Sequence, residues 1–155
     1  MSDQEEQSLI TDEHRALVGV KSEPYTVTVQ EIDSARMRDL LGDTDPRWAE
    51  GTGTAPPYAL ASFGGRPSRN MPFILPNGLL TQQEWRFNRM FNVGEELQAV
   101  AYVSDIRERL GGRYGHSILI TSAVDYLDKD GNVVASALSM LTQFDPARAV
   151  KEGGE

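Results

Sequence analysis

Residues 116–144 constrain the fold of this chain more than any other stretch. Two β-rich runs, 116–127 and 132–144, flank Asp128-Lys129-Asp130-Gly131. Asp and Gly between such runs mark a hairpin turn, because glycine accepts the positive φ that the turn needs. Ile118, Ile120, Val124 and Tyr126 recur at even spacing and share one face of the first strand. Leu119 and Leu127 take the other face. In the second strand Val134, Leu138, Met140 and Phe144 fall on one face, and Val133, Ala135, Ala137 and Leu141 on the opposite one. Neither face is wholly polar, whereas a sheet wetted on one side alternates cleanly. The pattern predicts a sheet that covers something inside and at least partly meets something outside.

The rest of the chain supplies further elements. Residues 24–29 (PYTVTV) alternate and are β-branched, which predicts a strand. Residues 30–41 switch to helical spacing, with Ile32, Met37, Leu40 and Leu41 as the apolar side and Gly42 as the stop. Residues 42–53 form a loop. Pro56 and Pro57 suit the entry of a short Ala-rich helix that runs to Phe63 and ends at Gly64-Gly65. An irregular connection follows to Gly78. Residues 79–89 predict a strand with Trp85 and Phe87 on one face, and residues 96–108 another. A loose acidic tail at 1–9, one domain over 10–145 and a loose tail at 146–155 complete the expectation. The fold class is α+β: a curved antiparallel sheet wrapped round one short helix.

Composition limits the chemistry. The chain has 155 residues, a formal charge of −8, no cysteine and two histidines. The charge argues against nonspecific binding to nucleic acid or to an anionic membrane surface. No thiol nucleophile or Cys-based zinc site is possible, and two histidines make a metal site an unpromising expectation. No cofactor is expected. No apolar run approaches the ~20 residues of a membrane helix, and a cytoplasmic protein is the expectation.

In this order, Gly42-Asp43-Thr44-Asp45-Pro46, the Ala55-Pro56-Pro57 helix entry, the 83–89 strand and the 128–141 hairpin resemble the MaoC-like dehydratases. The resemblance is to their N-terminal-domain type, and especially to the non-catalytic subunits of heteromeric (R)-specific enoyl-thioester hydratases. It covers residues 10–144 and implies the hot-dog fold. Active members carry Gly-Asp-x-Asn-Pro-Leu-His, whose Asp and His hold a water and move its protons. Here Asp43 keeps the Asp place, Asp45 replaces Asn, Arg47 replaces Leu and Trp48 stands at the His. An indole donates a hydrogen bond but accepts no proton. Active members also enter the central helix with His-Gly, whose N–H is thought to steady the thioester oxygen. Pro56 and Pro57 stand there, and neither has an N–H.

The resemblance implies a subunit without catalytic residues of its own, with Asp43 the one weak catalytic candidate. Read locally, Asp43 is also an ordinary turn residue bonding nearby amides. Trp48, Pro57, Tyr58 and Phe63 are the candidate acyl-binding residues; Trp48 is equally an aromatic plug, and Pro57 equally a helix initiator. His116 is the other candidate base, or a satisfied strand histidine. Arg66, Arg69, Arg107, Arg109 and Arg113 are candidate phosphate contacts or solvated side chains. The implied partner is a hot-dog subunit carrying Asp and His, and the implied ligand is an acyl thioester of coenzyme A or of a carrier protein. The rival expectations are a homodimeric acyl-thioester-binding module without catalysis, and an active hydratase or thioesterase that uses Asp43 in a displaced site.

Overall fold

The computed structural model describes residues 7–63 and 70–148. Elements follow in the order α1 (Asp12–Ala16), β1 (Tyr25–Thr28), α2 (Glu31–Leu41), a 3-10 turn (Pro46–Trp48), β2 (Thr54–Ala55), a 3-10 helix (Pro57–Phe63), β3 (Asn77–Phe87), β4 (Phe91–Asn92), β5 (Glu96–Arg109), β6 (Ser117–Leu127) and β7 (Val133–Phe144). The main sheet is antiparallel, in the order β1-β5-β6-β7-β3, and β2 pairs β4 in a small ribbon. Among the described residues no helix is long and apolar enough to cross a membrane.

The hairpin forms where the sequence places it. The Asp128 carboxylate accepts from the amides of Asp130 (3.0 Å) and Asn132 (2.9 Å), and Gly131 takes φ +81°. Ile118, Ile120, Val124 and Tyr126 all lie buried on the inner face. In β5 the inward parity is odd through Ala99, Ala101 and Val103, and then even at Ile106 and Glu108. A bulge between Val103 and Asp105 makes the switch. One extra residue re-aims every side chain after it.

β3 and β5, consecutive in sequence among the long strands, are not neighbours. β3 crosses to pair with β7, and among the described residues no strand pairs its other edge. The connection tucks Phe91 into the core (2% exposed), opposite Ala55.

The inner face carries two apolar cores. In the first, Ala99, Ala101, Ala135 and Ala137 lie beneath Ala59 and Leu60 of the 3-10 helix. Small side chains let the helix backbone come close to the sheet. The second groups Val103, Ile106, Ile118 and Ile120 with Ile10 and Leu75. Gln143, fully buried, accepts from the amides of Ile74 (2.9 Å) and Leu75 (3.1 Å) and donates to the Pro72 carbonyl (2.8 Å).

One expectation needs correction. The central helix is short and lies on the sheet as expected, with 3-10 turns. The helix α2 ends at Gly42 in the left-handed region (φ +63°), as expected, but its apolar side does not face the core. Ile32, Leu40 and Leu41 are exposed, and the buried residue is Ser34. The face turned inward runs through Ser34 and Arg38, because the Arg38 guanidinium serves the loop below. The described end of the expected tail, Ser8 and Leu9, is hydrogen-bonded to Glu108. Gly64, Gly65, Arg66, Arg69 and most of both tails lie outside the described residues.

Replacing Gln143 with Leu removes three hydrogen bonds and leaves buried backbone groups unpaired. A loss of about 2 kcal/mol is expected, seen as a lower denaturant midpoint at unchanged m-value.

Candidate functional site

The left-handed Gly42 ends α2 with the Asp43 amide bonded back to the Arg38 carbonyl (2.9 Å). This turn sets the Asp43 carboxylate beneath the helix end. One carboxylate oxygen accepts from the Asp45 amide (2.9 Å), the Asx turn expected of this motif. Asp45 in turn caps the 3-10 turn by accepting from the Arg47 amide (2.9 Å), with Pro46 in the first helical position. That single turn carries Trp48 inward, to 8% exposure.

The second oxygen of Asp43 receives two donors. The Trp48 indole Nε1–H lies 2.8 Å away and the Tyr58 hydroxyl 2.6 Å away. The two rings meet edge to face at 6.3 Å. The Arg47 guanidinium lies 4.3 Å from the Trp48 ring centroid while its nitrogens grip Asp45 at 2.7–3.1 Å. The Arg38 guanidinium donates to the Trp48 carbonyl (2.7 Å) and pairs with Glu31 (3.3 Å). The indole is thus held through its N–H, its π face and its backbone.

The electrostatics follow from the donors. The Tyr58 hydroxyl, then the Asp45 amide and then the Trp48 indole hold the Asp43 carboxyl below the ordinary value of 3.8. Burial first, and the Asp43 carboxylate second, push the Tyr58 hydroxyl up to about 12. Asp43 therefore stays charged and Tyr58 stays neutral at ordinary pH. Trp48 has no proton to exchange. General acid–base work near neutrality needs a group that titrates there, and this trio has none.

Asp43, Trp48 and Tyr58 are brought together. Pro57 opens the 3-10 helix beside them, and Pro56 is fully buried. The first backbone N–H of that helix belongs to Tyr58. Phe63, at the other end, packs on the first core beside Trp85 and is not part of the Asp43 cluster. Trp85 stacks between Phe87 (5.9 Å) and Tyr126 (5.9 Å), so an aromatic wall runs from Tyr126 to Phe87 on the edge strand β3. His116 is remote from this trio: its Nε2 lies 2.9 Å from Glu108, with 7% of the residue exposed. Arg107 pairs with Asp105 (2.6 Å), and Arg113 lies over the Tyr114 ring at 6.0 Å. Among the described residues no cluster of His, Asp and Glu is placed to hold a metal ion.

Sequence reading missed Arg38 and Glu108. Glu108 shares the inward parity of Ile106, where a carboxylate requires donors, but the bulge after Val103 hides that parity in the sequence. Arg38 gave no signal, because a mid-helix arginine reads as solvated.

No protein-family model matches this sequence, and no curated protein does. Solved structures do. The chain is similar to one from the ChsH1–ChsH2 complex of Mycobacterium tuberculosis (17% identity, TM-score 0.66, 82% of this chain and 90% of that one). It is also similar to one from the C-terminally truncated HadBC (3R-hydroxyacyl-ACP dehydratase) complex of the same organism (16% identity, TM-score 0.57, 86% and 98%). A third is an (R)-hydratase from A. caviae involved in PHA biosynthesis (18% identity, TM-score 0.58, 81% and 96%).

The Asp43 geometry has a pH signature. A folded-state pKa below the unfolded one contributes stability that is complete above the unfolded value and is lost as pH falls through the folded one. In Trp85→Phe, the remaining indole, Trp48, is expected to change its emission only below pH 3.8. Asp43→Asn should abolish that step. A step between roughly pH 5 and 8 would contradict the three-donor arrangement.

Proposed function

The chain has the hot-dog fold of the MaoC-like dehydratases, and we propose that it is the non-catalytic, pocket-shaping subunit of a hetero-oligomeric enoyl-thioester hydratase or dehydratase. One observation carries the reading. Where the active members of that resemblance place a histidine beside their aspartate, this chain places Trp48, with its N–H turned onto Asp43 at 2.8 Å. The carboxylate that would work with an imidazole is instead occupied by three donors. The second departure supports it. Pro56 and Pro57 offer no N–H to a thioester oxygen, and one missing oxyanion donor typically costs about a hundred- to a thousandfold in rate.

The partner would be a hot-dog chain carrying the full Asp and His motif, docking along β3. Most of that strand is exposed, with Leu79 44% and Leu80 60% exposed. An open edge of this length is a template for another strand. Two of the similar structures are complexes of two named chains, which supports a heteromeric assembly. In this reading Trp48, Pro57, Tyr58 and the aromatic wall at Phe63 and Trp85 border the acyl group. The partner's carboxylate and imidazole hold the water. The acyl thioester is a fatty or bulkier steroid-side-chain substrate on coenzyme A or a carrier protein.

The purified chain alone is expected not to hydrate crotonyl-coenzyme A, and co-expression with a hot-dog chain bearing Gly-Asp-x-Asn-Pro-x-His is expected to restore hydration. Ordinary enzymatic turnover by the lone chain would sink this reading. Trp48→His alone should bring no activity, because the missing N–H groups at 56 and 57 remain missing. Leu80→Lys should weaken co-purification with that partner while leaving the thermal midpoint of the lone chain within a few degrees, as an exposed site predicts.

A further inference from the structure

Among the described residues two chain segments roof the second core of the inner face, and they are fastened differently. Residues 72–75 are pinned by Gln143, a buried neutral amide with three short hydrogen bonds. Residues 8–16 are pinned by a charge. The Glu108 carboxylate accepts from the Ser8 hydroxyl (2.6 Å), the Leu9 amide (2.5 Å) and His116 Nε2 (2.9 Å). Burial pushes the Glu108 carboxyl up, but these donors together outweigh it and hold it below its ordinary value.

What the N-terminal segment buries is small. Ile10, 6% exposed, is its one buried apolar side chain, with Leu9 at the margin. α1 buries no residue at all. Beneath it the floor is dry: Val103, Ile118 and Ile120 are each 0% exposed. Just beyond α1 the chain is firmly attached. The Gly19 amide bonds the Val103 carbonyl (2.8 Å) and the Ser22 amide bonds the Ala101 carbonyl (2.8 Å). Gly19 takes φ +82°, a backbone state that favours glycine. The segment therefore has a fixed hinge, an exposed helix, one apolar tip and a polar latch. Segments with few buried contacts open at a fraction of the free energy of global unfolding.

We infer that residues 8–16 are a hinged cover over the second apolar core, and that an aliphatic chain entering this core takes the place of Ile10. The cover then sets how long an acyl chain the protein accepts. Short chains end under the 3-10 helix, and long ones must lift the cover. The identity of the ligand rests on the acyl-thioester reading above; the cover itself does not.

The second core lies within one chain, so the free acids dodecanoate and butanoate serve as probes on the full-length protein. In Glu108→Gln, amide exchange at Leu9, Arg15 and Leu17 is expected to rise about tenfold, with the β6 amides unchanged. Dodecanoate should raise exchange at those same amides in the unaltered protein, and should bind Glu108→Gln about fivefold more tightly. Butanoate should do neither. Ile10→Ser is the second variant: it removes only the tip, leaves the sheet untouched, and should loosen the cover alike. If the cover exchanges in step with β6 in both variants, or if dodecanoate leaves exchange at 8–16 unchanged, the inference is overturned. Hydration by the lone chain would instead sink the subunit reading and leave the exchange result standing.

Discussion

A mismatch of lengths governs this structure. β5, β6 and β7 have 14, 11 and 12 residues. At about 3.3 Å per residue, an 11-residue strand spans about 36 Å. The 3-10 helix on the inner face has 7 residues, and at about 2.0 Å per residue it spans about 14 Å. More than half of an apolar face thus lacks a helix above it. Leaving Val103, Ile106, Ile118 and Ile120 wet would forfeit about 1.5–3 kcal/mol per side chain. The chain meets this with extended segments, and the side chains record where each roof lies. Alanines lie under the helix, whose backbone comes close. Isoleucines lie under the segments, which come less close and leave more volume to fill.

The same economy explains Asp43. A carboxylate at the end of a helix and next to a buried indole must be either neutral or well supplied with donors. The Asp45 amide, Trp48 and Tyr58 supply them, and the result is a strut between α2, the 3-10 turn and the 3-10 helix. Imidazole in the same place would alternate between giving and receiving a proton. Indole only gives a hydrogen bond. An indole in this place therefore gives Asp43 a hydrogen bond without a proton to pass on. Arg47 on the ring and Arg38 on its carbonyl then fix an indole that an imidazole of smaller area would not have filled.

Much of this was legible in the residues, for local reasons. The hairpin follows from Asp128 and Gly131, and the end of α2 from Gly42. The inward row from Ile118 to Tyr126 follows from period two alone. What was not legible depends on partners far away in sequence. Ile32, Leu40 and Leu41 have helical spacing, but α2 turns Ser34 and Arg38 inward because Arg38 has a carbonyl to serve ten residues on. The β3 strand is legible as a strand, but its partner is not: its registry is with β7, far along the sequence. The site was half legible. Asp43 and Trp48 lie five residues apart and share a turn, whereas Tyr58 joins them only once the 3-10 helix has docked. Glu108 carried a parity signal that a bulge concealed.

The open edge of β3 follows from the same geometry. Exposed edges are usually blunted by proline, by inward charge or by shortness. β3 is 11 residues long, holds no proline, and its charged pair, Glu84 with Arg86 at 2.7 Å, lies on the outer face where each neutralises the other. Its bulge at Leu80/Gln82 is stapled to β7 through the Thr81 and Thr142 hydroxyls (2.8 Å), which holds the strand to its neighbour across the irregularity. Trp85 and Phe87 point inward from this edge and end the aromatic wall that begins at Tyr126. A strand set against this edge would continue the sheet and close the wall in one step. Sheet continuation and coverage of Trp85 and Phe87 would therefore be the same event.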